Sequence, residues 1–550
     1  MQKKNKKTNK KIPDSVFKNL PKGRIEIYDS TLRDGAQAEA ISFSLEDKLM
    51  IAGKLDELGI HYIEGGWPNP TNPKDQEFFK HVKKLKMKNA KITAFGSTKR
   101  ASSKVDKDAI LLNLLKADTE IVTIFGKSWD FHVKEVLHVS LDANLRLIEQ
   151  SVNFLVAEGR KVFFDAEHFF DGYIANPKYA LKTLDVAQSG GAEICVLCDT
   201  NGGTIPEMIG RICDDVHEYT EHFHLPFGIH CHNDAGLSAA NTLTGVLHGA
   251  VQVQGTINGI GERSGNDNLC TTIPNIAFKL CKKSIPDKNL KDLMGLSRFV
   301  SEIANISHNH RQPYVGESAF AHKGGSHIDG VLKNTRTFEH IEPEQVGNQR
   351  RFLLSDQSGG ATVIAKLHKI YHDIDKNGPR VKALLGELKK KEHEGYQYEA
   401  AQGSFELLAA KIFEDYELPF ELGVFRVITD RREDNSMVSE ATIKIIVNDT
   451  EEHTVSEGDG PVDALNGALR KALERFYPEI SSVHLEDYKV RVLDTSEGTE
   501  AKVRVLIESS DGVNVWGTVG VSENVIDASY IALVDSLAYK LMLDKRKGKK

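Results

Sequence analysis

Between Ile25 and about Leu280, short β-branched or apolar runs alternate with stretches patterned as helices. The runs are Ile25 to Tyr28, His61 to Glu64, Ile92 to Phe95, Ile121 to Phe125, Val162 to Asp165, Ile194 to Cys198, Phe227 to His230 and Val251 to Thr256. Eight strands joined by helical crossovers leave few solutions. Parallel neighbours need long connections, and eight such units close into a (β/α)8 TIM barrel, an α/β fold whose chemistry gathers at the C-terminal strand ends. The polar residues fall at those ends. Arg33 and Asp34 follow the first run, Glu64 ends the second, and Glu167 and His168 follow the fifth. Asp199 and Thr200 follow the sixth, His230 and His232 the seventh, and Asn258 to Asn268 the eighth. A strand-end polar group can equally satisfy loop backbone, so Glu64, His168 and Asp199 taken singly carry either reading. Their convergence favours a site.

Strand side chains alternate, so His230 and His232 share a face while Cys231 points away. Two imidazoles and the Asp34 carboxylate form a donor set that leaves positions open on a divalent ion, a catalytic arrangement more than a structural one. Gly259-Ile260-Gly261-Glu262-Arg263-Ser264-Gly265-Asn266 misses the spacing of a dinucleotide loop. It is expected to be a tight turn that delivers Asn266 toward the metal, with Glu262 and Arg263 paired beneath it.

At 550 residues the chain exceeds what one core organises, so further domains are expected. The net charge of -7 hides six lysines within residues 1–11 and five basic groups within 545–550. No aromatic residues interleave with them, so they read as solvated tails and nucleic acid is not expected as a partner. No apolar run approaches the roughly 20 residues that cross a bilayer, so no membrane partner is expected, and the start lacks a secretory core. A cytoplasmic location is the expectation. The six cysteines form no disulfide pattern, and Cys195 and Cys198, three apart in a strand, face opposite ways.

From 291 to 399 the pattern becomes helical and charged, except for a stretch rich in glycine and histidine. There, His327 is followed two residues later by Asp329, as in a mobile acid/base element, although a loop with exposed histidines would read the same way. Beyond about Phe405 a βββα pattern occurs twice. Its Val462-Asp463-Ala464 and Ile526-Asp527-Ala528 triplets begin matching helices about sixty residues apart. The expected domains are a disordered basic tail (1–23), the barrel (24–290), helical linker subdomains carrying the histidine loop (291–399), a C-terminal α+β module for regulation or dimerisation (400–544) and a basic tail (545–550).

The segments "DSTLRDGAQ" (29–37) and "HCHNDAGLSAANTLTGVLHGAVQVQGTINGIGERSGN" (230–266) resemble those of the metal-dependent barrel enzymes that condense acetyl-CoA with 2-oxo acids, the isopropylmalate, homocitrate and citramalate synthases. The resemblance spans nearly all of 24–545. It implies Asp34, His230, His232 and Asn266 around a divalent ion, Mn²⁺ or Mg²⁺, with Zn²⁺ or Co²⁺ as alternatives. It also implies Arg33, Glu167, His327 and Asp329 in catalysis, and Arg33 with Thr200 in substrate binding. Within that family Glu64-Gly65-Gly66-Trp67-Pro68-Asn69-Pro70 is similar to the citramalate branch, which takes pyruvate and acetyl-CoA and serves isoleucine biosynthesis. A homodimer, a branched-chain amino-acid effector (isoleucine) at the C-terminal repeats, and a His327 that reaches a partner's metal are further implications. Isopropylmalate or homocitrate synthesis is the nearest alternative, followed by a lyase or aldolase on the same barrel and a metal-binding sensor without turnover.

Overall fold

The computed structural model describes residues 19–221, 225–353, 363, 367, 370, 371, 374, 375, 378–433, 435–493 and 501–547. Most of the expected N-terminal tail (1–18) and the last three residues of the C-terminal one lie outside them. The chain forms two compact units. One comprises the residues up to Phe320 with Ile341–Arg350, and the other Ala321–His340 with Arg351 to the C-terminus, so the stretch 291–399 is divided between them.

The first unit is a closed barrel of eight parallel strands in sequence order. They are β1 (Glu26–Asp29), β2 (Tyr62–Gly66), β3 (Lys91–Ser97), β4 (Ile121–Lys127), β5 (Lys161–Glu167), β6 (Ile194–Asp199), β7 (Phe227–Cys231) and β8 (Gln252–Gly255). β8 pairs with β1 to close the ring. Several strands run further than their apolar runs: β2 continues through Glu64 to Gly66, β4 to Lys127 and β5 to Glu167. Polar residues extend these strands because the barrel interior is itself polar.

Alternation sorts every strand into two faces. Ile27, Ile63, Ala94, Val122, Phe164, Leu197, Ile229 and Val253 join the core between barrel and helices. Tyr28, Ile121, Phe163, Ile194, Val196 and Cys198 pack together in a separate interior cluster. Cys195 belongs to the outer core and Cys198 to the inner one, as their spacing required. Ser44 and Asp47 form a reciprocal capping box at Leu45–Leu58, which stops at Gly59 in the left-handed region (φ 96°).

In the second unit, β9 (Ala321–His322) pairs with β10 (Arg351–Phe352), and the helix Gly325–Lys333 follows β9. The βββα repeat is present twice. The first copy is β11 (Glu421–Arg431), β12 (Met437–Val447) and β13 (Thr450–Gly458) with the helix Pro461–Leu473. The second is β14 (His484–Val492), β15 (Val503–Ser510) and β16 (Val515–Ser522) with the helix Val525–Lys547. Asp463 and Asp527 sit in the first turns of the two helices, where a carboxylate suits the helix dipole. The described residues contain no helix long and apolar enough to cross a membrane.

Among the buried carboxyl groups of the barrel, burial pushes Asp29 and Asp267 up to about 7 and, with Glu64 adding to it, Asp165 up to about 8. The folded chain therefore holds protons that the unfolded chain has released, and the associated stability is lost as pH rises through those values. His61, which burial lowers to about 4, acts oppositely, but only below the ordinary histidine value. The melting temperature of metal-free protein at constant ionic strength should thus fall between about pH 6.5 and about 8.5. A flat or rising profile would contradict the burial of these acids.

Candidate active site

The turn after β1 is built by Asp29, whose two carboxylate oxygens accept hydrogen bonds from the Thr31 N–H and hydroxyl, both at 2.9 Å. Ser30 N–H donates to Gly255 O (2.9 Å) and Gly35 N–H to Ser30 O (3.1 Å), which ties the turn to the end of β8. This places Arg33 and Asp34 over the barrel mouth. Arg33 is gripped from three sides. Its Nε donates to Glu64 Oε2 at 2.6 Å, its Nη1 lies 3.3 Å from Asp34 Oδ2, and its guanidinium carbon stands 3.7 Å from the centre of the Phe95 ring. Glu64 is fully buried, and its other oxygen accepts from the Tyr28 hydroxyl at 2.7 Å. Although burial opposes the charge, Glu64 and Asp34 outweigh it and hold the guanidinium above its ordinary value.

His230 and His232 turn the same way, as alternation predicts, with their Nε2 atoms 3.3 Å apart. Asp34 Oδ2 stands 3.6 Å from His230 Nε2 and 3.9 Å from His232 Nε2. Burial, with His230 beside it, lowers His232 to about 3, so it is a neutral donor. Burial alone would raise the Asp34 carboxyl, but Arg33, His230 and His232 together hold it below the ordinary range.

Asn266 lies on the loop after β8. Gly265, at φ 93°, gives its turn a backbone conformation that side chains rarely adopt. The Asn233 N–H bonds Gly265 O at 2.9 Å, the Asn266 N–H bonds Gly259 O at 3.0 Å, and a backbone bridge links Asn266 to His232. The loop differs from expectation in one respect. Arg263 pairs closely not with Glu262 (3.9 Å) but with Asp234 (2.8 and 3.0 Å), and it also donates to the Thr200 carbonyl at 2.7 Å. The two-residue separation of Asp234 from His232 makes this the tie that fastens the loop to the end of β7.

These donors suit a divalent cation. Asp34, His230 and His232 bring one oxygen and two nitrogens within 4.8 Å of one another, all buried. Asn266 Oδ1 is a buried acceptor with no hydrogen-bond partner among the described residues. Two facing imidazole nitrogens, a carboxylate and an orphaned carbonyl satisfy one another through a shared cation and poorly without one.

Beside these ligands lies a cavity of about 220 Å³ whose walls include Arg33, Glu167 and Thr200. Glu167 forms an ion pair with Lys127. Thr200 Oγ1 accepts from His168 N–H at 2.9 Å, which leaves its own O–H to donate. The opposite wall is aromatic: Phe95 and Phe125 stack at 5.4 Å, and Trp67 stands edge-on to both at 5.9 and 5.7 Å. The sequence reasoning missed this wall and Lys127. Phe95 and Phe125 close their apolar runs in register with interior positions, so period-two counting carried the signal; Lys127 lay beyond the run.

His327 and Asp329 belong to the second unit and are held by a helix, not a glycine loop. The His327 ring stacks on Phe338, with centres 4.1 Å apart and planes at 18°. Helical positions two apart do not face each other. Asp329 accordingly pairs with Lys333 one turn on, at 2.5 Å, rather than standing behind His327 as expected. His322, also in that glycine-rich stretch, is buried against Glu339 at 2.9 Å.

The HMGL-like family matches residues 24–300, the homocitrate synthase post-HMGL domain-like family residues 314–395, and the LeuA allosteric (dimerisation) domain residues 399–541. The (R)-citramalate synthase of Aquifex aeolicus is 54% identical over 526 residues, covering 96% of this chain and 99% of that protein. The chain belongs to the HMGL-like family, in its (R)-citramalate synthase branch. The (R)-citramalate synthase of Geobacter sulfurreducens is 53% identical, covering 94% of this chain and 97% of that protein. The 2-isopropylmalate synthase of Aquifex aeolicus is 31% identical, covering 94% of this chain and 95% of that protein.

Asp34→Asn removes the one anionic donor of the set. Mn²⁺ titration followed by electron paramagnetic resonance should find a single tight site in the parent and its loss in the variant, at unchanged circular dichroism. Parent-like Mn²⁺ binding by Asp34→Asn would refute the assignment of these ligands.

Proposed function

We infer that this chain is an (R)-citramalate synthase, which joins the methyl carbon of acetyl-CoA to the carbonyl carbon of pyruvate and, with water, releases citramalate and CoA. The observation that carries the reading is 54% identity to such an enzyme along 96% of the chain, against 31% to an isopropylmalate synthase from the same organism. The aromatic wall of Trp67, Phe95 and Phe125 supports it, because rigid rings leave little space for an alkyl group larger than methyl. A second cavity, of about 300 Å³, shares Arg33, Gln37 and Trp67 with the first and suits a reaction of two substrates.

Asp34, His230, His232 and Asn266 would hold a divalent ion, Mn²⁺ or Mg²⁺ in preference to Zn²⁺ or Co²⁺, which would supply Lewis-acid polarisation of the 2-oxo acid's carbonyl. Arg33, its Nε committed to Glu64, presents the remaining N–H groups to the oxyanion that develops at the ketone carbon. Loss of such a preorganised donor costs ~10²- to 10³-fold in rate. Thr200 donates its hydroxyl to the pyruvate carboxylate. Glu167, positioned by Lys127, borders the pyruvate methyl or assists the base. His327, reaching the metal of a partner subunit, takes the proton from the acetyl methyl, and its ring plane is set by Phe338. Asp329, paired with Lys333, steadies the helix that carries this base. Hydrolysis of the thioester then makes condensation hard to reverse.

The match to the LeuA allosteric (dimerisation) domain, with two βββα repeats behind it, supports a homodimer regulated by a branched-chain amino acid. Isoleucine is the effector of this reading, and an enzyme of isoleucine biosynthesis working in the cytoplasm is its setting.

Free thiol release from acetyl-CoA decides the matter. Metal-loaded protein is offered pyruvate, 2-oxobutyrate, 2-oxoisovalerate or 2-oxoglutarate separately, with a chelator control. Strong preference for pyruvate, lost with chelator, is expected; preference for any of the three larger acids would reassign the substrate, and no release would leave a lyase or a sensor. Phe125→Ala should shift kcat/KM from pyruvate toward 2-oxobutyrate by ~10-fold or more, the usual worth of one methylene. An unchanged ratio would remove the ring from the specificity wall.

A further inference from the structure

The interior of the barrel beneath the metal ligands holds a polar chain that the reaction as described does not use. Gln254, fully buried on β8, places Oε1 3.0 Å from Nδ1 of His230. Its amide nitrogen donates to Asp165 Oδ1 at 3.2 Å and faces Gln252 Oε1 at 3.5 Å. With the nitrogen end of the amide directed to these two oxygens, the carbonyl end is left for the imidazole. An imidazole nitrogen beside a carbonyl must be the protonated one. The proton of His230 is thereby fixed on Nδ1, and the lone pair of Nε2 points to Asp34 and His232.

We propose that Gln254 is a positioning residue of the metal centre, selecting the ring plane and tautomer of the ligand His230 through its side-chain carbonyl. Metal-bound histidines commonly give their second N–H to a carboxylate, carbonyl or water, and that partner sets how well the ring binds. Here the acceptor is a neutral amide, in keeping with its surroundings. Asp165 adjoins it, and Glu64 and Asp34 already supply negative charge close by. An amide orients the ring without adding another anion to this dry interior. Asp165 in turn orients the amide, so the barrel strands β5, β7 and β8 fix one ligand jointly.

The inference rests on His230 being a metal ligand, and the experiment separates the two claims. Mn²⁺ affinity of the full-length chain is measured by electron paramagnetic resonance for the parent, Gln254→Leu, Gln254→Met and Gln254→Glu, each checked by thermal melting. The two variants without an acceptor should bind Mn²⁺ ~10- to 100-fold more weakly, while Gln254→Glu, which keeps an acceptor for Nδ1–H, should stay near or above the parent. Met serves as the second acceptor-free variant should Leu fail to fold. Parent-like affinity in a folded acceptor-free variant would overturn the proposal while leaving the metal site intact. A loss shared equally by Gln254→Glu would also overturn it, since shape and not hydrogen bonding would then be responsible. A parent that binds no Mn²⁺ would sink the metal reading and this inference with it.

Discussion

A carboxylate sealed inside a barrel is costly unless its partners are fixed, and the fully buried Glu64 organises the mouth of this one. One oxygen takes the Tyr28 hydroxyl from β1, which is itself bonded to the Thr93 and Thr123 hydroxyls of β3 and β4. The other holds Arg33. Four strands are therefore tied to one side chain. Arg33 in turn restrains Asp34 and lies over Phe95, so the position of the metal carboxylate and that of the aromatic wall both descend from this pair. Apolar packing gives the barrel its outer shell; this polar interior layer gives it a site.

Much of that arrangement was legible in the amino-acid sequence because two periodicities leave marks. Alternation with period two separated His230 and His232 from Cys231, and Cys198 from Cys195, and the structure separates them likewise. Eight apolar runs marked eight strands. What escaped notice lay where polar residues continue a strand, as where β4 runs on to Lys127 and β5 to Glu167, since polarity normally signals an end and only a polar interior reverses that meaning. Arg263 could not be assigned its partner for a different reason: Asp234 is remote in sequence from it, and proximity along the chain favoured Glu262. The glycines around His327 suggested a loop. The helix Gly325–Lys333 starts among them, and its pitch turns Asp329 away toward Lys333.

The second unit makes a related point about repeats. Its two βββα copies are alike in topology, with both helices beginning at an acidic first turn. Their surroundings differ. β16 packs by its Val519 against the cluster that contains Ala401, Phe405 and Ala409, and the Val519 N–H bonds the Ser404 hydroxyl at 3.0 Å. On the first copy, Val424 of β11 and Val455 of β13 are exposed. Similar sequences thus supply two sheets with distinct neighbours, which is how an internally repeated module can present a face that its other half has already used.

The four candidate metal donors also have a place in the history of the chain. Asp34 follows the first strand, His230 and His232 belong to the end of the seventh, and Asn266 follows the eighth, so they straddle the line where β8 meets β1. That line joins the beginning of the domain to its end across nearly all of the intervening sequence. The entropy of closing so long a loop grows only logarithmically with its length, but none of it is recovered until the first and last strands meet. A cation held there would act as a clasp on the seam. Its binding would add to the cohesion of the ring where the two strands most distant in sequence are paired.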